Sequence, residues 1–274
     1  MVFNKIKADN KDHDLKTVPV RNLFQVWIAA ILIAWLVLDD GNMLGFMPSM
    51  IVHEIGHSFF GITAGIPSIS FFFGSFALAA EPVLHFVLLL IIAEGFAVQH
   101  CHQKGRVLLQ SWLILTILAH VFFLICPTLA TPCGIFGGVA GEFVLPVLLL
   151  ILLIEVPRLR ATRGIVLFGI ASVAFWRAIL NWSLAYLGQR TIPYPRDGSG
   201  AISVFQDPFS ALDGLPEGDM DKLIKIYGWT EEMLVENYAA LGLVSLTGFC
   251  MLWYWVFRQE ASLASTDNYQ SHGT

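Results

Sequence analysis

Charged residues are scarce in this chain, which has 16 Lys and Arg and 21 Asp and Glu among 274 residues. They make up 14% of the sequence, whereas about a quarter of the residues of a soluble domain are charged. Apolar residues account for 56%, and the mean hydropathy is +0.67. This composition excludes an ordinary soluble domain and indicates an integral membrane protein.

Two further patterns are missing. No basic run is long enough to indicate nucleic-acid binding, so no nucleic-acid partner is expected. The chain also lacks the ten-residue alternating segments of an outer-membrane barrel. Long apolar runs alternate instead with short charged connectors, as in helices that cross a lipid bilayer. We therefore predict an all-α, polytopic membrane helix bundle that forms a single domain over residues 1–274.

Cysteine is limited to four residues, Cys101, Cys126, Cys133 and Cys250, and no two are spaced as a metal-binding C-x-x-C pair. Cys126 and Cys133 flank one short loop. They could form a disulfide if this loop faces an oxidising compartment, or they could be free thiols in packed helices.

Apolar segments lie at about 22–38, 46–64, 66–80, 83–98, 107–126, 138–155, 164–187 and 238–257. The third is short and could be a thin crossing, a re-entrant segment or an extended hairpin. If all eight cross, every cluster of Lys and Arg falls on one side, the cytoplasmic one. We therefore expect eight crossings rather than seven, in a bacterial-type cell membrane.

The first twenty residues are polar and lack the apolar stretch and cleavage site of a secretory signal peptide. We expect residues 1–20 to form a cytoplasmic tail and the run from Leu23 to Leu38 to be a retained signal anchor. Residues 188–236 form the one long polar stretch, and a loop of this length is usually functional. We predict an ordered extramembrane lid. It contains a short helix, with Asp219 as its N-cap and Gly228 after its end.

The sequence His53-Glu54-Ile55-Gly56-His57 matches the zinc-binding pattern H-E-x-x-H. Residues four apart lie on one face of a helix, so both imidazoles can bind a single Zn²⁺ ion. Glu54 then lies close to the metal, where it can take a proton from water and return it to a leaving amine. Because histidine and glutamate are costly inside an apolar helix, their presence there indicates function.

A catalytic zinc ion usually has three protein ligands and one open position. Glu142 is one candidate for the third ligand, since the small residues before it would let the HEIGH helix approach; alternatively it pairs with Arg177. Asp219 could bind zinc or cap its helix, and Asp213 is a further candidate. In the eight-crossing arrangement HEIGH, Glu142 and the 188–236 loop converge at the outer side. Glu94 has no evident role, and His120 is expected to be a packed core histidine.

With these residues in place, the chain resembles the site-2 protease group of intramembrane metalloproteases. The resemblance rests on HEIGH, on Gly61 and Gly65, and on the short 66–80 stretch, and it covers about a fifth of the chain. It implies that His53 and His57 bind zinc and that Glu54 activates water. Leu212-Asp213-Gly214 matches the family's aspartate motif in letters, but it stands in a polar loop rather than a membrane helix.

A closer likeness is to uncharacterised bacterial membrane proteins that combine H-E-x-x-H, a G-G-x-x-G-E segment and a later G-D-M-x-(K/R)-L stretch. These correspond to His53–His57, Gly137–Glu142 and Gly218–Leu223. This likeness keeps both Glu142 and Asp219 as candidate ligands.

The sequence thus predicts a membrane-embedded zinc metallohydrolase, a peptidase that cleaves membrane proteins or peptides in or beside the bilayer. A non-catalytic transporter or metal-dependent scaffold is the alternative. A di-iron desaturase needs about eight histidines in several boxes, and here one such pair exists. Neither the substrate nor the oligomeric state follows from the sequence.

Overall fold

The computed structural model describes residues 18–38, 43–71, 74–79, 81–192 and 218–271. These ranges form α1 (Val20–Leu36), α2 (Met43–Thr63), β1 (Ser68–Phe71), β2 (Gly74–Ala77), α3 (Leu84–Lys104), α4 (Val107–Ile125), α5 (Ala130–Glu155), α6 (Thr162–Tyr186), α7 (Asp219–Lys225) and α8 (Glu231–Ser271). Short 3₁₀ turns, Pro127–Leu129 and Pro157–Arg160, flank α5. Most of the predicted tail, and the part of the predicted lid that holds Asp207 and Asp213, lie outside the described residues.

The predicted helical bundle is confirmed, apart from the one β-hairpin. Among the described residues, five helices are long and apolar enough to cross a membrane: α3, α4, α5 with the turn before it, α6 and α8. The α1 helix is apolar but shorter. By length and composition, the chain is an integral membrane protein.

The 66–80 segment contains an antiparallel hairpin in which Ser68 pairs with Ala77 and Phe71 with Gly74. At its base, the backbone N–H of Leu78 donates to the carbonyl of Pro67 at 2.7 Å. The chain therefore leaves α2 and returns to the same end of it. The expectation that this segment crosses the membrane is wrong, and the hairpin alternative is the one observed.

Helices α2 and α5 pack antiparallel, since His53 lies beside Glu142 while His57 lies beside Gly134. The eight-crossing arrangement adds the 66–80 segment to α3 and α4 between these two helices, and would have made α2 and α5 parallel. The observed antiparallel packing and the hairpin do not fit that arrangement. Both helices also begin earlier than predicted, at Met43 and Ala130. HEIGH and Glu142 therefore lie near mid-helix rather than at an outer end.

The core is centred on α5 and α6, where 61% and 50% of the most apolar window is buried. Side chains from α1, α7 and α8 complete the same cluster. The α3–α4 pair packs at the edge of the bundle. It is fixed to α5 by Glu155, whose carboxylate accepts hydrogen bonds from the backbone N–H groups of Leu108 and Leu109 at 2.8 and 2.7 Å. This carboxylate satisfies two of the free N–H groups at the start of α4.

All four cysteines are free thiols. Cys126 directly follows the last residue of α4, whereas Cys133 belongs to the first turn of α5. Of the two alternatives left open by the sequence, the structure has two free thiols.

Candidate metal centre

His53 and His57 lie one turn apart on α2 and point to the same place. Their Nε2 atoms are 3.1 Å apart, and the two rings meet edge to face. Both side chains are largely buried, with 10% and 14% of their surface exposed. The four-residue spacing predicted this geometry, because it places both side chains on one helical face.

Asp219 supplies a third donor atom at the same point. Its Oδ2 lies 3.1 Å from Nε2 of His53 and 2.8 Å from Nε2 of His57. In a tetrahedral zinc site with bonds of 2.0–2.1 Å, neighbouring ligand atoms are about 3.3 Å apart. The three atoms therefore have nearly the separations that one zinc ion requires. Within the described ranges, this is the one group of three or more His, Cys, Asp or Glu residues with such spacing.

The short helix α7 brings Asp219 to the histidines. Met220 and Leu223 are buried in the core cluster and anchor this helix against α5. The N-cap of α7 is Gly218, and Asp219 makes no capping hydrogen bond. The prediction that Asp219 is the N-cap is therefore wrong, because its carboxylate turns to two imidazoles instead. Gly228 does follow the helix, with φ of +72°.

The two imidazoles favour the ionised form of the Asp219 carboxyl. Burial alone would raise its pKa, but the neighbouring His57 and His53 hold that pKa well below its usual range. The ionised carboxylate is the form that binds a metal.

Glu142 lies on the other side of the His53 ring. Its Oε1 is 3.3 Å from Nδ1 of His53, and its side chain is fully buried. Because Asp219 and His57 meet His53 at Nε2, Glu142 is not in the group of three donors. The other histidine has a similar contact, since Nδ1 of His57 donates to the carbonyl of Gly134 at 2.9 Å.

Gly138 lies directly beneath the two imidazoles. A Cβ atom at this position would stand 2.5 Å from Nε2 of both His53 and His57. Gly56 and Gly141 face each other so closely that a Cβ on either would overlap the backbone of the other helix. The small residues before Glu142 thus allow the close helix approach that the sequence predicted.

Glu54 is buried, directly after His53 and outside the group of three donors. The β-hairpin covers this side of α2. The hydroxyl of Ser70 donates to the carbonyl of Glu54 at 2.6 Å and shares a hydrogen bond with Ser58 at 2.5 Å. The hairpin thereby packs against the turn of α2 that carries Glu54.

Sequence reasoning missed Gly134 as a contributor to the site, gave Gly138 only a role in helix packing, and missed Ser70. The first two had a visible signal, because Gly134, Gly138 and Glu142 repeat every four residues, as His53 and His57 do. Ser70 had none, since its partner on α2 is sixteen residues away in sequence. The sequence also missed that His120 pairs with Glu94, with Nε2 and Oε1 3.3 Å apart.

The donor set fits zinc. Two neutral imidazole nitrogens and one carboxylate oxygen are a common ligand set of catalytic zinc sites, which keep a fourth position open. Glu54 follows His53 directly, as the H-E-x-x-H pattern requires.

Comparison of the chain with protein-family models, with curated proteins and with solved structures finds no match.

Proposed function

We propose that this protein is a membrane-embedded zinc metallohydrolase that cleaves peptide bonds in or beside the bilayer. The observation that carries the proposal is the meeting of Nε2 of His53, Nε2 of His57 and Oδ2 of Asp219 within about 3 Å of one another. Three residues from two distant parts of the chain converge in a largely apolar bundle. Polar groups at such a depth are costly unless they serve a function.

The residues of this site have separate roles. His53, His57 and Asp219 would hold the ion, and Glu54 acts as general base and then general acid. When bound, the zinc ion would supply Lewis acidity for the scissile carbonyl and would lower the pKa of water to about 7. Glu54 takes the proton from the attacking water and delivers it to the leaving amine.

The choice of peptide bonds rests on the resemblance to site-2 proteases in HEIGH and the stretch after it. Asp219 takes the place of that family's aspartate in the proposal, since it lies in contact with both histidines. Leu212-Asp213-Gly214, which matches the family's letters, lies outside the described residues.

The test is Glu54→Gln in the purified full-length protein, reconstituted in lipid vesicles. The probes are fluorescence-quenched peptides with one transmembrane segment, together with fluorescein-labelled casein. We expect wild type to contain one zinc per chain and to cleave at least one probe, and a chelator to abolish cleavage. Glu54→Gln should keep its zinc and cleave at least about 100-fold more slowly. The matched control, Glu94→Gln, changes a glutamate of α3 outside the site and should cleave like wild type.

Each contrary outcome points to a different function. Zinc without cleavage of either probe favours the metal-dependent scaffold, and absence of any metal favours the transporter. Iron in place of zinc would indicate oxidative chemistry. Undiminished turnover by Glu54→Gln would overturn the proposed role of this glutamate.

A further inference from the structure

Residues along one face of α5 contact the two histidines of α2 in turn. Gly134, Gly138 and Glu142 are spaced four apart and therefore lie along one stripe of the helix. The antiparallel α2 presents His57 to Gly134 and His53 to Glu142, with Gly138 between the two rings. Neither end of this stripe contributes to the group of three donors.

We propose that this stripe, G-x₃-G-x₃-E, is a template that sets the orientation and tautomer of both zinc ligands, with Glu142 as a positioning residue. The inference rests on the proposed zinc function. It assigns to Glu142 a role other than metal binding or ion pairing alone.

The chemistry follows from the two nitrogens of a neutral imidazole, of which one donates a hydrogen and the other offers a lone pair. An acceptor held at Nδ1 places the hydrogen there and leaves the lone pair on Nε2. Glu142 Oε1 is the acceptor for His53, at 3.3 Å, and the Gly134 carbonyl is the acceptor for His57, at 2.9 Å. Both lone pairs are then directed to the point that Asp219 also faces.

The two acceptors differ in kind. The Gly134 carbonyl belongs to the backbone and persists in any variant that keeps α5, whereas the acceptor for His53 is a single, fully buried side chain. The middle position must be glycine, because a Cβ there would reach both Nε2 atoms. Glu142 is therefore the one member of the stripe whose acceptor group can be removed without adding volume.

The first experiment measures zinc affinity in detergent by competition with a chromophoric chelator. Glu142→Leu removes the acceptor at similar volume, and we expect affinity to fall about 10–100-fold, as is typical when the partner of a ligand histidine is lost. Glu142→Gln keeps an oxygen that can accept from Nδ1 and should restore most of the affinity. Glu94→Leu, the same change in α3, should leave the affinity unchanged. If Glu142→Leu does not fold, Glu142→Ala replaces it, since the smaller side chain cannot clash.

The second experiment asks whether Glu142 acts through His53. In a His53→Ala background, Glu142→Leu should cause no further loss of affinity. In the Co²⁺-substituted protein, Glu142→Gln should keep the visible absorption of wild type, whereas Glu142→Leu should change its position or intensity.

The outcomes distinguish failure of the template from failure of the proposed zinc function. Wild-type affinity in Glu142→Leu, or an equal loss in the His53→Ala background, would overturn the template while leaving the zinc site intact. Failure of wild type to bind zinc at all would instead overturn the proposed function.

Discussion

Two pairs of helices carry histidine and glutamate into the apolar bundle, and their surroundings differ sharply. The α2–α5 pair is central, with 61% of the apolar window of α5 buried, whereas the corresponding figures for α3 and α4 are 11% and 6%. Each of the rings of His53 and His57 meets a hydrogen-bond acceptor at Nδ1. At Nε2, each ring meets the other two candidate metal-ligand atoms. Nε2 of His120 meets Oε1 of Glu94 at 3.3 Å, but the buried Nδ1 and Oε2 atoms of this pair find no hydrogen-bond partner among the described residues.

The comparison shows that a histidine and a glutamate inside a bundle do not by themselves make a site. What distinguishes α2–α5 is convergence: three donor atoms meet at one point, and acceptors behind the rings fix their direction. The α3–α4 pair has neither feature, although its residue types are the same. Metal binding should therefore depend on one region and be indifferent to the other.

The largest effect should come from removing a ligand. Asp219→Ala should reduce the affinity for zinc by more than the 100-fold or so expected from losing a contact behind a ligand. Elemental analysis of the purified protein should then find much less than one zinc per chain. His120→Ala removes a histidine of the peripheral pair and should keep the zinc of wild type. Equal loss in both variants would erase the distinction between the two regions.

A smaller but still large effect is expected from Gly138→Ala. The new Cβ would stand 2.5 Å from both Nε2 atoms, so the rings or α5 must move. Overpacking of this kind costs about 1–3 kcal/mol of folding free energy, and zinc affinity should fall with it. Thermal unfolding with and without zinc measures both. Gly95→Ala, on α3, has nothing within 4 Å of the new atom, so neither quantity should decrease.

The smallest effect should be the coupling between Glu94 and His120. Polar pairs between transmembrane helices are worth about 0.6 kcal/mol on average and seldom more than about 1.7 kcal/mol. A double-mutant cycle of Glu94→Leu and His120→Leu, followed by unfolding in mixed micelles, should give a coupling energy in that range. A coupling well above it, or a change in zinc content, would show that this pair is more than a contact between two helices.

The part of the site encoded locally was predictable, and the part encoded at long range was not. His53 and His57 are four residues apart, so helical periodicity alone places them together. Asp219 is 162 and 166 residues away from them, and no pattern in the sequence could choose it over Asp213 or Glu142. Its misassignment as an N-cap has the same cause, because local preference favours capping whereas the imidazoles that Asp219 contacts are distant in sequence.

The topology predicted from the sequence is wrong at one short segment, residues 66–80. An apolar run that contains Pro67 and Gly74 fits a strand, a loop or a thin crossing equally well, because hydropathy does not report backbone direction. The positive-inside rule then favoured the wrong choice, and every later segment inherited it. The small residues of α5 did indicate close packing, but which helix they approach depends on that topology.

The β-hairpin beside HEIGH bears on how water could reach a buried site in an apolar bundle. A two-stranded sheet leaves the backbone groups of its outer edges unpaired, and hydrocarbon cannot solvate them. Such backbone is tolerated at membrane depth only where protein covers it or an aqueous cavity reaches it. Ile69 and Phe71 on β1 are exposed, so protein does not fully enclose this strand. The same hydration that satisfies the strand edge would deliver the water that Glu54 deprotonates in the proposed hydrolysis.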